Sequence, residues 1–117
     1  THVVARMVAA EANFSQALGG YVRACPVLRP EDYAALIHRL GFRRQRVEMV
    51  VYPHLLDSRE EVLSWVAGTL LTDYERRLDP EQFEAFKGRY RELLFRELPD
   101  RRPFFYPFKR ILIWAWR

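Results

Sequence analysis

Cysteine is nearly absent from this 117-residue sequence: Cys25 stands alone, so neither an intramolecular disulfide nor a multi-cysteine metal site can form. That usage agrees with a reducing compartment, and a cytoplasmic location is expected. Glycine is scarce, with five residues, and none builds the glycine-rich turn that cradles a phosphate or a dinucleotide. The three histidines, His2, His38 and His54, are far apart and lack ligand spacing, so no metal is expected. No nucleophile elbow is present. No apolar run approaches the roughly 20 residues of a membrane span, and no basic-then-apolar signal pattern opens the chain. The first residue is Thr1 and not methionine, which leaves open that the sequence is a piece of something longer.

What is present suits one small domain with a real core, since half of the residues are hydrophobic. The formal net charge is +4. The arginines behind it, among them Arg43, Arg44, Arg46, Arg76, Arg77, Arg101, Arg102, Arg110 and Arg117, are scattered among glutamates and sit beside helix ends. No basic stripe interleaves with aromatics, so a solvated surface is the reading and nucleic acid is not an expected partner.

In chain order, Val4, Met7, Val8 and Glu11 recur at helical spacing and predict a helix from His2 to about Asn13, with Asn13 as its cap. Gly19-Gly20 breaks the chain. Pro30 at a first helical position, Glu31 and Asp32 in the first turn and Gly41 at the end predict a helix over 30–40. A strand over 44–52 follows, stopped by Pro53. Ser58 with Glu61 has the form of a capping box. Val62, Val66, Leu70, Tyr74 and Leu78 then recur every fourth residue, with Gly68-Thr69 marking a bend or a close backbone approach. Asp79-Pro80-Glu81-Gln82 caps a second helix that runs to Leu98. Residues 100–107 read as a loop. The closing run Lys109–Trp116 reads as a strand, apolar on both faces from Ile111 to Trp116, with Trp114 and Trp116 expected in a core. Such a strand belongs inside a sheet, and this chain offers only one confident partner for it.

The expected division is 1–57 (helices and penultimate strand), 58–99 (an inserted helical pair) and 100–117 (the final strand), as a single domain or a fragment of one. Read from the residues alone, Trp65 and Tyr74 favour packing, His38 exposure, and His54 a turn position; Arg76 and Arg77 favour solvation.

The residues Leu40-Gly41-Phe42, Val51-Tyr52-Pro53-His54, Val62 through Leu70 (with Trp65-Val66-Ala67-Gly68-Thr69 the most specific part), Phe86 through Leu94 and Pro107-Phe108-Lys109-Arg110 carry a resemblance. Together they resemble the C-terminal part of class I S-adenosylmethionine-dependent methyltransferases, and most nearly the trans-aconitate methyltransferase group. The resemblance implies an α/β fold (α+β as a fragment): a C-terminal antiparallel strand pair of a Rossmann-like sheet, with the final strand slotted inside and the inserted helices forming a lid. It implies a small-molecule acceptor, S-adenosylmethionine as cofactor, and an acceptor pocket near Tyr52, His54, Trp65, Thr69 and Tyr74, with His54 the candidate general base. Two departures stand out. Leu71-Thr72-Asp73 replaces the family's Leu-Arg-Pro, whose arginine would pair a substrate carboxylate. The glycine-rich loop and the ribose-holding acid are not in this chain, which should not bind the cofactor tightly by itself. The expectation is therefore the acceptor-side lid region of a methyltransferase, inactive alone and completed by a missing N-terminal part. The alternative is a non-catalytic helical interaction module that forms a homodimer through its open sheet face. No membrane partner is expected.

Overall fold

The computed structural model describes residues 1–117. The elements run α1 (His2–Ala10), α2 (Ala12–Ala17), α3 (Pro30–Arg39), β1 (Arg44–Leu56), α4 (Arg59–Ala67), α5 (Thr72–Glu75), α6 (Pro80–Glu97) and β2 (Phe104–Trp116). The result is mixed α and β with one two-stranded sheet, β1 beside β2. The Arg43 amide donates to the Trp116 carbonyl at 3.1 Å, so the start of β1 meets the end of β2 and the pair is antiparallel. No helix is long and apolar enough to cross a membrane.

The chain divides into two units, residues 1–25 with 56–104 and residues 26–55 with 105–117. This differs from the contiguous division that the sequence suggests. The reason is that α1 and α2 pack on α6, an element far along the chain.

In the first unit α6 is central. Asp79 Oδ1 accepts from the Gln82 amide at 2.7 Å, and Gln82 Oε1 accepts from the Asp79 amide at 3.2 Å. This reciprocal cap, with Pro80 at the first position, fixes where α6 starts. Phe83, Phe86, Tyr90 and Leu94 fall on one stripe and are buried. Against them pack Val4 and Val8 of α1, Val62 and Val66 of α4, and Leu71, Tyr74 and Leu78. Phe86 stacks on Tyr74 (ring centroids 4.7 Å apart) and meets Phe14 edge-on at 5.2 Å. Arg59, at the start of α4, donates to the carbonyls of Phe95 (3.0 Å) and Leu98 (2.8 Å) at the end of α6. An arginine thus closes the carboxyl end of one helix from the amino end of its antiparallel neighbour.

Several sequence expectations need correction here. The first helix is two, because Glu11 is extended (φ −63°, ψ 140°). Asn13 therefore lies within α2 and caps nothing, and Met7 is exposed while Ala5 and Ala9 are buried. Ser58 makes no side-chain cap; Glu61 Oε2 instead accepts from the Asp57 amide at 3.0 Å. The helix after it stops at Ala67, with Gly68 as its cap. A Cβ at Gly68 would find its nearest neighbour, the Trp65 carbonyl oxygen, at an ordinary 3.9 Å, so the glycine marks a bend and not a close approach.

In the second unit α3 runs as expected from Pro30, and Gly41 closes it at φ 85°. The strands are longer than expected. β1 passes through Pro53 to Leu56, which a strand with one unpaired edge permits. β2 starts at Phe104, inside the stretch read as a loop. Trp114 and Trp116, expected in a core, are 41% and 54% exposed, because a two-stranded sheet has nothing to lay over them.

Tyr74 offers a direct check on this packing. Its ring is fully buried and its hydroxyl accepts from the Arg23 amide at 3.1 Å. Burial, above all, pushes its pKa above the ordinary tyrosine value of about 10. With the folded-state pKa raised, stability is fully present below the ordinary value of about 10 and is lost as pH rises from there through the folded pKa. Tyr74→Phe should lower stability by roughly 1–3 kcal/mol near neutral pH, through the stranded amide, and should flatten the fall in stability above pH 10. Urea unfolding at pH 7 and pH 10.5 measures both effects.

Candidate functional site

The five residues that the resemblance points to divide between the units: Tyr52 and His54 belong to the second, Trp65, Thr69 and Tyr74 to the first.

Tyr52 and His54 stand two apart on β1, so strand alternation sends both to one face. Their rings lie 17° from parallel with centroids 6.4 Å apart. Phe108 of β2 meets His54 at 6.4 Å, and Tyr106 lies 6.3 Å from Phe108. Arg110 completes the group. Its guanidinium carbon is 5.2 Å from the Tyr52 ring centre and 5.3 Å from that of Phe108. The face therefore carries a half-buried aromatic patch with one imidazole and one exposed guanidinium. The opposite face is apolar, with Met49, Val51, Leu55, Phe105 and Ile113 all more than 40% exposed.

In the first unit Trp65 is half-buried on α4 and Thr69 is exposed just beyond it. The Thr69 hydroxyl donates to the Trp65 carbonyl at 3.1 Å, and its own carbonyl accepts from Arg23 Nη1 at 3.1 Å and from the Thr72 hydroxyl at 2.8 Å. Arg23 also donates to the Leu70 carbonyl at 2.9 Å and pairs with Asp73 at 3.5 Å. One arginine thus holds the turn between α4 and α5. Tyr74 leaves no surface for a ligand, so its role is in the core. Arg77 is not merely solvated: its guanidinium lies 3.7 Å above the Tyr21 ring and donates to the Asp73 carbonyl at 2.9 Å.

Arg110, Phe108 and Arg23 are the residues that site reasoning from sequence passes over. With residues 100–107 read as a loop, Phe108 fell outside the expected strand, and which residues of β1 Arg110 would meet was not fixed. Their i, i+2 spacing against Tyr52 and His54 becomes a signal only once β2 is known to pair with β1.

The residues present do not fit S-adenosylmethionine. Its methionine end needs backbone amides at a turn that opens a helix. The glycines with positive φ, Gly19, Gly20 and Gly41, all follow the carboxyl ends of α2 and α3, where carbonyls and not amides are presented. No group of three or more His, Cys, Asp or Glu side chains is placed to hold a metal ion.

Comparison with known proteins decides the relationship. A trans-aconitate 2-methyltransferase of Deinococcus radiodurans is 37% identical over 99% of this chain and 47% of its own length. Over nearly its whole length the chain is similar to a trans-aconitate 2-methyltransferase. Proteins of the same name from a Mycobacterium species (37% identical, 74% of this chain, 34% of theirs) and from Streptomyces avermitilis (31%, 95% and 42%) agree. The resemblance read from the Trp65–Thr69 run and the residues around it is thereby borne out, at the level of a class I methyltransferase. The chain spans about half the length, or less, of the curated relatives it matches. No family model matches it.

Proposed function

We infer that this chain forms the acceptor side of an S-adenosylmethionine-dependent methyltransferase that acts on a small-molecule carboxylate, with the methyl donor held by residues outside the chain. The observation that carries the reading is the similarity across nearly the whole chain to enzymes named for methylating trans-aconitate. Two features of the molecule support it. The sheet has only two strands yet exposes apolar side chains on both faces, as a strand pair does when more sheet lies beside it. Tyr52 and His54 stand near the end of β1, where acceptor pockets of open α/β sheets form.

In this reading α4, α5 and α6 serve as the lid, with Trp65 and Thr69 on its acceptor side. Tyr74 holds the lid together from inside. The work of these residues is positioning and the exclusion of water. His54 is a general base only where the acceptor oxygen or nitrogen arrives carrying a proton. A carboxylate is already ionised at neutral pH, its pKa lying near 4, and there His54 orients the acceptor.

Incubating the product of the full reading frame with methyl-labelled donor and a set of di- and tricarboxylates tests the reading. Label should appear in a base-labile methyl ester. His54→Ala should then lower kcat by less than the hundredfold that removing a general base typically costs. Labelling of no small carboxylate would end this proposal.

The alternative, a non-catalytic module that pairs with a second copy through its open sheet face, rests on the same exposed side chains Met49, Val51, Leu55 and Ile113. Sedimentation velocity separates it. A stable, concentration-independent dimer of the 117-residue chain that Val51→Lys splits into folded monomers supports the module; weak, open-ended association that Val51→Lys suppresses supports an uncovered enzyme face.

A further inference from the structure

Two arginines on the strand pair are stacked on aromatic rings, and only one of them is neutralised. Arg46 lies over Trp114, 5.7 Å from the ring centre, and its guanidinium is bound by Glu48 of the same strand. Arg110 lies against both Tyr52 and Phe108 at 5.2 and 5.3 Å, and no carboxylate of the chain is within ion-pair distance of it. A guanidinium attracted to ring faces keeps its N–H donors for another partner. The N–H groups of Arg110 therefore remain available to an anion beside Tyr52, on an exposed surface, and a guanidinium can meet a carboxylate with two of them.

We propose that Arg110, held by Tyr52 and Phe108, is the residue that recognises a carboxylate of the acceptor. The ligand class is a small di- or tricarboxylate, bound through a charge-assisted fork. The proposal rests on the methyltransferase reading for the word acceptor, but not for the anion site itself. Arg46 serves as an internal control: it has the same chemistry on the same strand pair, with its charge already taken by Glu48.

The test is an NMR titration of the 117-residue chain with tricarballylate, and in parallel with its uncharged trimethyl ester, read at the Arg110 side-chain N–H and the amides of Tyr52 and Phe108. Tricarballylate should give saturable shifts and the ester none. Arg110→Gln should weaken the apparent affinity roughly tenfold or more, as loss of a charge-assisted bond does. Arg110→Lys, which keeps the charge without the fork, should fall between the two, and Arg46→Gln should stay within about twofold of the parent. Absence of saturable shifts, equal binding of the ester, or Arg110→Gln binding like the parent would overturn the proposal. Binding that depends on Arg110 in a protein whose full reading frame transfers no methyl group would keep the anion site and remove the methyltransferase reading. Methyl transfer indifferent to Arg110→Gln would do the reverse.

Discussion

A sheet of two strands cannot bury either of its own faces, and that constraint governs how this chain must be understood. β1 and β2 are each 13 residues long, rich in valine, isoleucine and aromatics, and they meet as one antiparallel pair. Side chains that elsewhere would form a core, Val51, Ile113 and Trp116 among them, stand about half exposed. At about 25 cal/mol for each Å² of apolar surface, leaving several such residues in water forgoes stabilisation that covering them would supply. The helical unit shows the contrast. There Phe86, Tyr74, Tyr90 and Leu94 are almost wholly removed from solvent, and every side of α6's apolar stripe has a partner. One unit completes its own core; the other presents material for a core it does not complete.

The candidate residues follow the same division. The patch of Tyr52, His54, Phe108 and Arg110 stands on the incomplete unit, and Trp65 with Thr69 on the complete one. The helical unit is held by specific polar ties: Asp79 with Gln82 at one end of α6, Arg59 at the other, and Arg23 across the turn after α4. Such ties fix a shape without conferring a reaction.

Much of this was legible in the sequence where local chemistry decides structure. Pro30 with Gly41, and Asp79 with Gln82, marked their helices because caps act over three or four residues. The aromatic stripe of α6 was legible because its period is that of a helix. Legibility failed where a distant neighbour decides. Glu11 breaks the first helix so that α1 and α2 can each lie on α6, and nothing within five residues announces it. Pro103, Pro107 and two arginines made 100–107 look like a loop, whereas pairing with β1 draws β2 back to Phe104. The tryptophans of β2 were read as core because their composition says so; only the strand count shows that they lack a cover. The site was half legible, since Tyr52 and His54 came from resemblance, while Arg110 needed the register of β2.

In the reading proposed above, this chain holds the acceptor side of a methyltransferase and not the donor side. Calorimetric titration of the folded 117-residue chain with S-adenosylhomocysteine tests it most directly. The account predicts no heat of binding, since the glycines that could turn the backbone lie at helix carboxyl ends. Saturable binding in the micromolar range would contradict it.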